Sequence, residues 1–377
     1  MKIPFNKPYF TGKETSYIKE SVATGKISGD GLFTKKCHDF FETRYGFPKA
    51  LLTTSCTDAL EMAAILCNLD SGDEVIAPSF TFVSTVNAFA LRGAKIVFAD
   101  SETSTPNMDV ATLEALITPR TKVIVPVHYA GIACDMDGLL GLARKYGLMV
   151  VEDAAQAVDS YYKGKPLGSL GHLAAFSFHE TKNVISGEGG MLVVNDARFA
   201  DRAEIIREKG TNRSAFFRGE VDKYGWVDIG SSFLPSDIIA AFLYAQLENI
   251  DDIQARRRKI WQIYYAGLAL LEEGGIARLP HIPEYGTNNG HMFYMVCADL
   301  AERSRLIDHL RSRGILSVFH YLSLHKSPYY EARHDGRELP NADRYADCLL
   351  RLPLFYELRE IDVEMIVDSI LDFYGRS

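Results

Sequence analysis

The stretch FSFHETKNVISGEGGMLVV, residues 176–194, sets one lysine, Lys182, between two apolar runs. The first run alternates small or polar side chains with phenylalanine, which is typical of a β-strand that has two different faces. The glycine-rich turn at 187–190 follows the lysine and lets the backbone approach a ligand closely. Lys182 is therefore either a solvent-facing lysine at the end of a strand or an amine used in chemistry.

Apolar, β-rich runs alternate with amphipathic helical patterns on the N-terminal side of this stretch. Such alternation predicts an α/β fold with a mostly parallel sheet, and strands apolar on both faces predict a sheet covered on both sides. The predicted strands are EVIAPSF (74–80), AKIVFAD (94–100), TKVIVPVHY (121–129) and GLMVVEDAA (147–155). The predicted helices between them lie in 84–93, 109–121 and 135–147.

On the C-terminal side, Ser236 is placed to cap one long helical stretch, 237–275, with a bend near Asp251 and Asp252. Shorter strand and helix patterns follow and predict a smaller α+β domain. We expect a large domain over 1–250 and a small C-terminal domain over 251–377.

Composition excludes several classes of protein. The 377 residues carry a net charge of −8, which argues against a nucleic-acid-binding surface. The N-terminus lacks the apolar core of a signal peptide, and no apolar run is long enough to span a membrane. Six scattered cysteines show neither a disulfide framework nor zinc-ligand spacing. We expect a cytoplasmic protein that binds no metal and no membrane.

Candidate site residues follow the predicted strand ends, where ligands of open α/β sheets bind. Asp153 ends the strand MVVED, and its carboxylate either faces a ligand or caps the next helix. The hydroxyls and thiol of 53–57 precede an amphipathic helix, whose N-terminus either binds a phosphate or is capped by those side chains. Phe82 is either a core residue or a platform for a planar ligand.

Together, an amine, a carboxylate, a helix N-terminus and an aromatic ring are what pyridoxal 5'-phosphate (PLP) requires. The chain resembles the DegT/DnrJ-type sugar-nucleotide aminotransferase family over essentially its whole length. The resemblance implies a fold-type I PLP-dependent aminotransferase. The matching motifs are SGDGLFT, TTSCTDAL, GDEVIAPSFTFVST, VIVPVHYAG, VVEDAAQA and FSFHETKNVISGEGGM.

The resemblance also implies roles for individual residues. Lys182 would form the Schiff base and move the proton, and Asp153 would pair with the pyridinium nitrogen. Gln156 would bond the 3-hydroxyl of the ring, and Phe82 would stack on the ring. The residues that would hold the phosphate are Cys56, Thr57 and Ser177.

A homodimer with shared active sites is a further implication, since family members hold a neighbouring subunit's phosphate with an asparagine. Ser232 occupies that position here, within GSSFLPS. The basic loop 205–226 would bind a nucleotide diphosphate, through Arg213 and Arg218, unless it is only a solvated surface loop. The residues expected to line the same cleft are His128, His320, Tyr321 and His325.

The segment 205–238 is similar to family members that aminate C4 of a dTDP-linked 4-keto-6-deoxy sugar, with L-glutamate as donor and a pyridoxamine phosphate form during turnover. The implied product is dTDP-4-amino-4,6-dideoxy-D-galactose. The alternatives are amination of another keto nucleotide sugar or a non-catalytic PLP-binding regulator. A sugar 3-dehydratase would have histidine at Lys182, and a nicotinamide oxidoreductase would need a G-x-G-x-x-G turn. Neither feature is present.

Overall fold

The structure of the protein is a computed structural model that describes residues 2–376. Its strands are β1 (Ala50–Thr53), β2 (Glu74–Pro78), β3 (Lys95–Ala99), β4 (Thr121–Ile124), β5 (Met149–Asp153), β6 (Tyr161–Tyr162), β7 (Lys165–Pro166), β8 (Leu173–Ser177), β9 (Gly190–Val194), β10 (Phe293–Val296) and β11 (Leu349–Leu352). Its α-helices are α1 (Glu14–Ala23), α2 (Leu32–Tyr45), α3 (Cys56–Leu66), α4 (Ser84–Ala90), α5 (Met136–Tyr146), α6 (Ala200–Arg207), α7 (Arg213–Phe217), α8 (Asp237–Leu247), α9 (Ile250–Glu273), α10 (Leu300–Ser312), α11 (Pro340–Cys348) and α12 (Glu360–Phe373).

A seven-stranded sheet in the order β1-β9-β8-β5-β4-β2-β3 forms the centre of the molecule. The pairs β2–β3, β2–β4, β4–β5 and β5–β8 are parallel. The pairs β8–β9 and β9–β1 are antiparallel. The predicted α/β fold with a mostly parallel sheet is confirmed, and the parallel strands bring their carboxyl ends to one edge.

Both faces of the sheet are buried, because successive residues of each strand enter different cores. In β5, Val151 packs in the core that contains α3 and α4, whereas Val150 packs in the core that contains α2 and α5. In β8, Ala175 and Phe176 divide in the same way. The sequence prediction of a sheet covered on both sides is correct for this reason.

Two predicted elements are shorter or tighter than expected. The strand predicted over 121–129 ends at Ile124, because Pro126 has no N–H for the ladder. The chain nevertheless stays paired, since Val125 N–H donates to Ile76 O at 2.8 Å and Asp153 N–H donates to Pro126 O at 2.9 Å. The helix predicted within 109–121 is a 3₁₀ helix, Val110–Leu116, capped by the Asp109 side chain.

The stretch predicted as one long helix is two helices. Ser236 caps α8 as expected, accepting from Ile239 N–H at 3.4 Å. The helix ends at Leu247, and α9 begins at Ile250, so the predicted bend near 251–252 was placed too late. Asn249 Nδ2 donates to Ala245 O at 2.9 Å, which satisfies a terminal carbonyl of α8 and marks the break.

The C-terminal part of the chain has its own hydrophobic core. β10 and β11 pair antiparallel, and α9 packs against α12 beside them. The N-terminal segment joins this core, where Ile3 N–H donates to Gly314 O at 2.8 Å. The boundary between domains 1–250 and 251–377 stays a prediction. Within residues 2–376, no helix has both the length and the apolarity to cross a bilayer.

Candidate active site

A cavity of ≈ 590 Å³ lies at the carboxyl edge of the parallel strands. Its floor comes from the ends of β5 and β8 and from the start of α3, and its far wall comes from the C-terminal part of the chain. Side chains from both ends of the sequence line it: Phe5, Asn6, Ser55, Cys56, Thr57, Leu60, Thr81, Phe82, Ser84, Thr85, Val127, Asp153, Ala155, Gln156, Ser177, His179, Thr181, Lys182, Glu188, His291, Met292, His320, Tyr321, Arg351, Leu352 and Leu354.

Asp153 lies at the floor of this cavity with only 5% of its surface exposed. Its Oδ2 accepts from the Thr85 hydroxyl at 2.7 Å, and its Oδ1 accepts from Ala155 N–H at 3.1 Å. Burial raises the pKa of the Asp153 carboxyl, while the bonds from Thr85 and Ala155 lower it. Asp153 is thus both a cap for the turn after β5 and a carboxylate directed into the cavity, so its two interpretations are compatible.

Lys182 follows β8 across a short turn, in which its backbone N–H donates to His179 O at 2.9 Å. Its side chain is half-buried and lines the cavity. Burial lowers the pKa of the Lys182 amine, whereas Cys56 and Asp153 act in the opposite direction. A lowered pKa gives more of the neutral amine, which is the form that attacks a carbonyl carbon.

The N-terminus of α3 faces the same cavity through Ser55, Cys56 and Thr57. The Ser55 hydroxyl caps the helix by accepting from Asp58 N–H at 3.0 Å, so the ordinary capping role is filled. Gly190, in the glycine-rich turn of the sequence, lets the start of β9 pass close to the N-terminus of α3. A Cβ at Gly190 would lie 2.2 Å from the Ser55 carbonyl carbon, so only glycine lets β9 pass so close.

An aromatic and polar wall closes the cavity opposite the helix. Phe82 is 56% exposed and therefore is not a core residue, and its ring centroid lies 6.1 Å from that of Tyr321. Gln156 accepts from Ala130 N–H at 2.6 Å and donates to the Tyr321 hydroxyl at 3.0 Å. His320 stacks on Tyr321 with centroids 3.4 Å apart.

The sequence-predicted residues therefore separate into two sets. Those that line the cavity are Cys56, Thr57, Phe82, Asp153, Gln156, Ser177, Lys182, His320 and Tyr321. Those that lie outside it are His128, His325, Arg213, Arg218 and Ser232.

Each histidine outside the cavity has structural partners. His128 is fully buried behind β5, with Nε2 2.9 Å from Glu152 Oε2. Its Nδ1 accepts from Cys134 N–H at 3.3 Å, which places the ring proton on Nε2. His325 Nδ1 lies 2.7 Å from the Ser79 hydroxyl oxygen. Neither ring is directed to the cavity.

The basic loop is largely neutralised by carboxylates. Arg218 forms ion pairs with Glu204 and Glu220, both at 2.7 Å. Arg213 lies 3.8 Å from Glu208 and lines a second cavity of ≈ 310 Å³ together with Ser232. Four of the five cations of the segment 205–226 form ion pairs, since Arg207 also pairs with Asp30 and Lys209 with Glu208. The segment is therefore not a free cationic surface in the fold.

Three residues that line the cavity or support its strand ends are not predicted from the sequence. Thr85 was read only as part of a helix, although a hydroxyl at that position of α4 contacts Asp153. Glu152 accepts from Gly168, Leu170 and Gly171 N–H groups and anchors the end of β5. Arg351 is the one charge in the strand sequence LLRL, and that interruption was the available signal.

The residues that line the cavity fit the groups of PLP. Asp153 is buried but ionisable, and Lys182 is the only lysine of residues 2–376 that lines the cavity. The start of α3 is open to a phosphate, and Phe82 leaves a ring face uncovered. Such a set defines a fold-type I PLP enzyme.

Comparisons with known proteins agree with that class. The DegT/DnrJ/EryC1/StrS aminotransferase family model matches residues 8–371, and the chain belongs to this family. It is 34% identical to the spore coat polysaccharide biosynthesis protein SpsC of Bacillus subtilis, over 98% of this chain and 96% of SpsC. The protein is thus a PLP-dependent aminotransferase of the sugar aminotransferase family.

Solved structures are similar over the whole chain. The aminotransferase TlmJ of Streptoalloteichus hindustanus is 30% identical with a TM-score of 0.90, and the match covers 99% of each chain. The PMP form of Spr1654 from Streptococcus pneumoniae is 28% identical with a TM-score of 0.91, again over 99% of each chain.

Replacing Thr85 with valine is expected to move the acid limb of the pH–rate profile to higher pH. The Thr85 hydrogen bond favours the ionised carboxylate, so its loss raises the pKa of Asp153 further. Asp153 then takes up a proton at a higher pH, and activity falls earlier on acidification. The measurement is kcat/KM against pH, with the exposed Thr112→Val as control. An unmoved acid limb would contradict the assignment.

Proposed function

We propose that the enzyme transfers the amino group of L-glutamate to C4 of dTDP-4-keto-6-deoxy-D-glucose and gives dTDP-4-amino-4,6-dideoxy-D-galactose. The observation that carries the proposal is the convergence of Lys182, Asp153 and the α3 N-terminus on one cavity. The resemblance of 205–238 to C4-aminating members supports the choice of sugar. The name of SpsC supports a role in supplying an amino sugar for a cell-surface polysaccharide.

Bound PLP supplies an electron sink that stabilises negative charge on the carbon that carries the amine. Asp153 would maintain the positive charge of the ring nitrogen, since its carboxylate is the buried anion of the cavity floor. Lys182 Nζ would attach the cofactor and would accept or donate the proton at the substrate carbon. Cys56, Thr57 and Ser177 would hold the phosphate through backbone amides and hydroxyls.

The walls orient the two substrates in turn. Gln156 and Tyr321 are joined by a hydrogen bond of 3.0 Å, so they form a preorganised edge for the ring's 3-hydroxyl. Phe82 would cover one face of the ring, and His320 stacks on Tyr321 in the same wall. Glutamate and the keto sugar would use the same cavity, one after the other, because the cofactor takes the amine from the first and gives it to the second.

The enzyme acts as a homodimer in this proposal. Large apolar side chains are exposed on the segment 216–229, among them Phe217 at 70% and Trp226 at 85%, which is typical of a surface that another chain covers. Ser232 and Arg213 share the second cavity, next to this segment. We assign the cross-subunit phosphate contact to Ser232 and the diphosphate contact to Arg213. Arg213 has only a 3.8 Å contact with Glu208, whereas Arg218 pairs with two carboxylates at 2.7 Å.

Sedimentation equilibrium tests the dimer. The expected mass is twice that of the 42.1 kDa chain. Trp226→Lys is expected to shift the equilibrium to monomer by placing a charge in the interface, whereas Lys145→Ala, at an exposed lysine outside the segment 216–229, is not. A monomeric wild-type protein that is fully active would contradict the shared site.

The proposed location of the dimer is the cytoplasm.

The product of the reaction tests the substrate assignment. The enzyme is incubated with L-glutamate and dTDP-4-keto-6-deoxy-D-glucose, and the configuration at C4 is read from proton coupling constants by NMR. We expect an axial amine, which is the galacto product. An equatorial amine would contradict the stereochemistry and leave the aminotransferase intact. Amination only of a 3-keto isomer would contradict the substrate.

A further inference from the structure

His291 lies in the wall of the active-site cavity, two residues before β10, and only 7% of its surface is exposed. Its backbone N–H donates to Asn289 Oδ1 at 2.9 Å. Asn289 is fully buried, and its amide nitrogen donates to Gln156 O and Val158 O at 2.8 and 2.9 Å. The turn after β5 therefore fixes the position of this histidine.

The ring of His291 is held through one of its nitrogens, since Nδ1 lies 2.8 Å from Asn183 Oδ1. The Asn183 amide cannot be reversed, because its nitrogen already donates to the Asn289 carbonyl at 2.9 Å and to Gln254 Oε1 at 2.7 Å. A carbonyl oxygen only accepts, so Asn183 Oδ1 is the acceptor that faces the ring. In the neutral imidazole the proton is therefore on Nδ1, and Nε2 carries a lone pair.

The second ring nitrogen, Nε2, is available to a ligand. Within residues 2–376 it forms no hydrogen bond, yet it is not shielded from solvent. Asn183, the partner of Nδ1, lies outside the cavity, so Nε2 is the ring nitrogen that the cavity exposes. Burial lowers the pKa of His291 well below its usual value, and the charges of Lys182 and Arg257 lower it further. The ring is therefore neutral at neutral pH, and Nε2 is a hydrogen-bond acceptor.

This acceptor lies beside the amine of Lys182. Asn183, which holds the ring, is the residue directly after Lys182 in the chain. Both Lys182 and His291 line the cavity, and among the neighbouring charges that of Lys182 has the largest effect on the pKa of His291. In the described part of the chain Lys182 forms no hydrogen bond with Nε2. The acceptor is thus open to a ligand group close to the reacting carbon.

The two substrates differ in the groups that can donate a hydrogen bond to this acceptor. The carboxylates of glutamate only accept, and its amine is transferred to the cofactor. The keto sugar has hydroxyls, each of which donates one hydrogen bond. In a 4-keto sugar the C3 hydroxyl is on the carbon next to the carbonyl, so it comes close to Lys182 when C4 does. A neutral acceptor beside the reacting centre is therefore complementary to the sugar and not to glutamate.

We propose that His291 is a specificity-determining residue for the acceptor sugar, whose hydroxyl next to the keto carbon donates a hydrogen bond to Nε2. This inference rests on the proposed function, since it requires a keto sugar as the acceptor. It does not depend on which carbon is aminated, because the 4-keto and the 3-keto 6-deoxy sugars both have a hydroxyl beside the carbonyl. An enzyme without Nε2 and a sugar without that hydroxyl should lose the same interaction.

Two substitutions of His291 separate the acceptor from the bond to Asn183. The amide of asparagine reaches the position of Nδ1 and can keep that bond, but it leaves no acceptor at the position of Nε2. The amide of the longer glutamine reaches the position of Nε2 and keeps an acceptor there, but it loses the bond to Asn183. His281→Asn, at an exposed histidine, is the control.

For the holoenzyme, we expect His291→Asn to lower kcat/KM for the keto sugar by about threefold to tenfold, as for the loss of one hydrogen bond between neutral groups. The half-reaction with glutamate, measured without sugar, should change less than about twofold. His291→Gln should keep more of the sugar kcat/KM than His291→Asn. The 3-deoxy analogue of the 4-keto sugar should be as poor a substrate for the wild-type enzyme, and His291→Asn should lower its kcat/KM no further.

Calorimetric titration of the holoenzyme with dTDP-D-glucose, which has no ketone, gives a readout independent of turnover. Binding should weaken in His291→Asn, whereas the 3-deoxy form of this ligand should bind the wild type and the variant equally. Thermal unfolding checks that the variants fold, and if His291→Asn does not, His291→Gln decides through a smaller loss confined to the sugar.

Three outcomes would overturn the proposal: equal slowing of both half-reactions, a larger loss in His291→Gln than in His291→Asn, or a further loss when His291→Asn meets the 3-deoxy analogue. The variants are compared on whichever of the 4-keto and 3-keto sugars the wild-type enzyme aminates. A wrong sugar assignment therefore appears in the wild type, and a wrong role of His291 appears in the variants.

Discussion

Lys182→Ala is expected to abolish turnover and to leave a folded protein that still binds PLP without a covalent link. Within the described part of the chain, residues 2–376, no other lysine lines the cavity and could replace it. Loss of the proton transfer alone costs about a hundredfold to ten-thousandfold in rate, and loss of the covalent attachment adds to this. The side chain ends in the cavity and not in a core, so the fold should tolerate the change.

The measurement for this variant is the single-turnover rate with glutamate, followed by cofactor absorbance. Lys145→Ala, at an exposed lysine paired with Glu114, is the matched control and should react at the wild-type rate. Thermal unfolding shows whether the fold is kept. A Lys182→Ala enzyme that retains a tenth or more of the wild-type rate would contradict the role of this amine.

Asp153→Asn is expected to slow turnover by about a hundredfold to a thousandfold, because a preorganised charge directed at the cofactor is lost. The amide oxygen of asparagine can still accept from Thr85 or Ala155, so the turn after β5 should stay in place. The defect should therefore be in kcat, with little change in thermal stability. Asp137→Asn, an exposed carboxylate paired with Lys163, is the control.

A near-normal kcat in Asp153→Asn would contradict the role of Asp153 at the cofactor and leave it only as the cap of the turn after β5. The spectrum adds a second test, since protonation of the ring nitrogen changes the absorbance of the bound cofactor. We expect an altered spectrum in Asp153→Asn and an unaltered one in Asp137→Asn.

The sequence predicted the parts of the fold that depend on local pattern. The alternation around Phe176 placed Ser177 in the cavity, and the strand-end position of Asp153 placed its carboxylate at the same edge as Lys182. Parallel strands made this convergence predictable, because their carboxyl ends meet at one edge. Ser236 was recognisable as a helix cap from its hydroxyl and the apolar periodicity that follows.

The remaining features depend on contacts between distant segments. The antiparallel pairing of β9 with β8 and β1 cannot be predicted from the alternation of side chains within any one strand. The sequence predicts Arg218 as a ligand-binding cation, because it does not show that Glu204, on another helix, pairs with it. His128 likewise looks like a cleft residue until Glu152 accounts for its ring. Arg351 was missed because one sequence shows the charge but not the cavity that it faces.

The site of covalent cofactor attachment tests the role of Lys182 most directly. The purified holoenzyme is reduced with borohydride, digested and mapped by mass spectrometry, with an unreduced sample as control. We expect one phosphopyridoxyl-labelled peptide, with the label on Lys182. A label on any other lysine, with Lys182 unmodified in a fully active preparation, would contradict the assignment of Lys182.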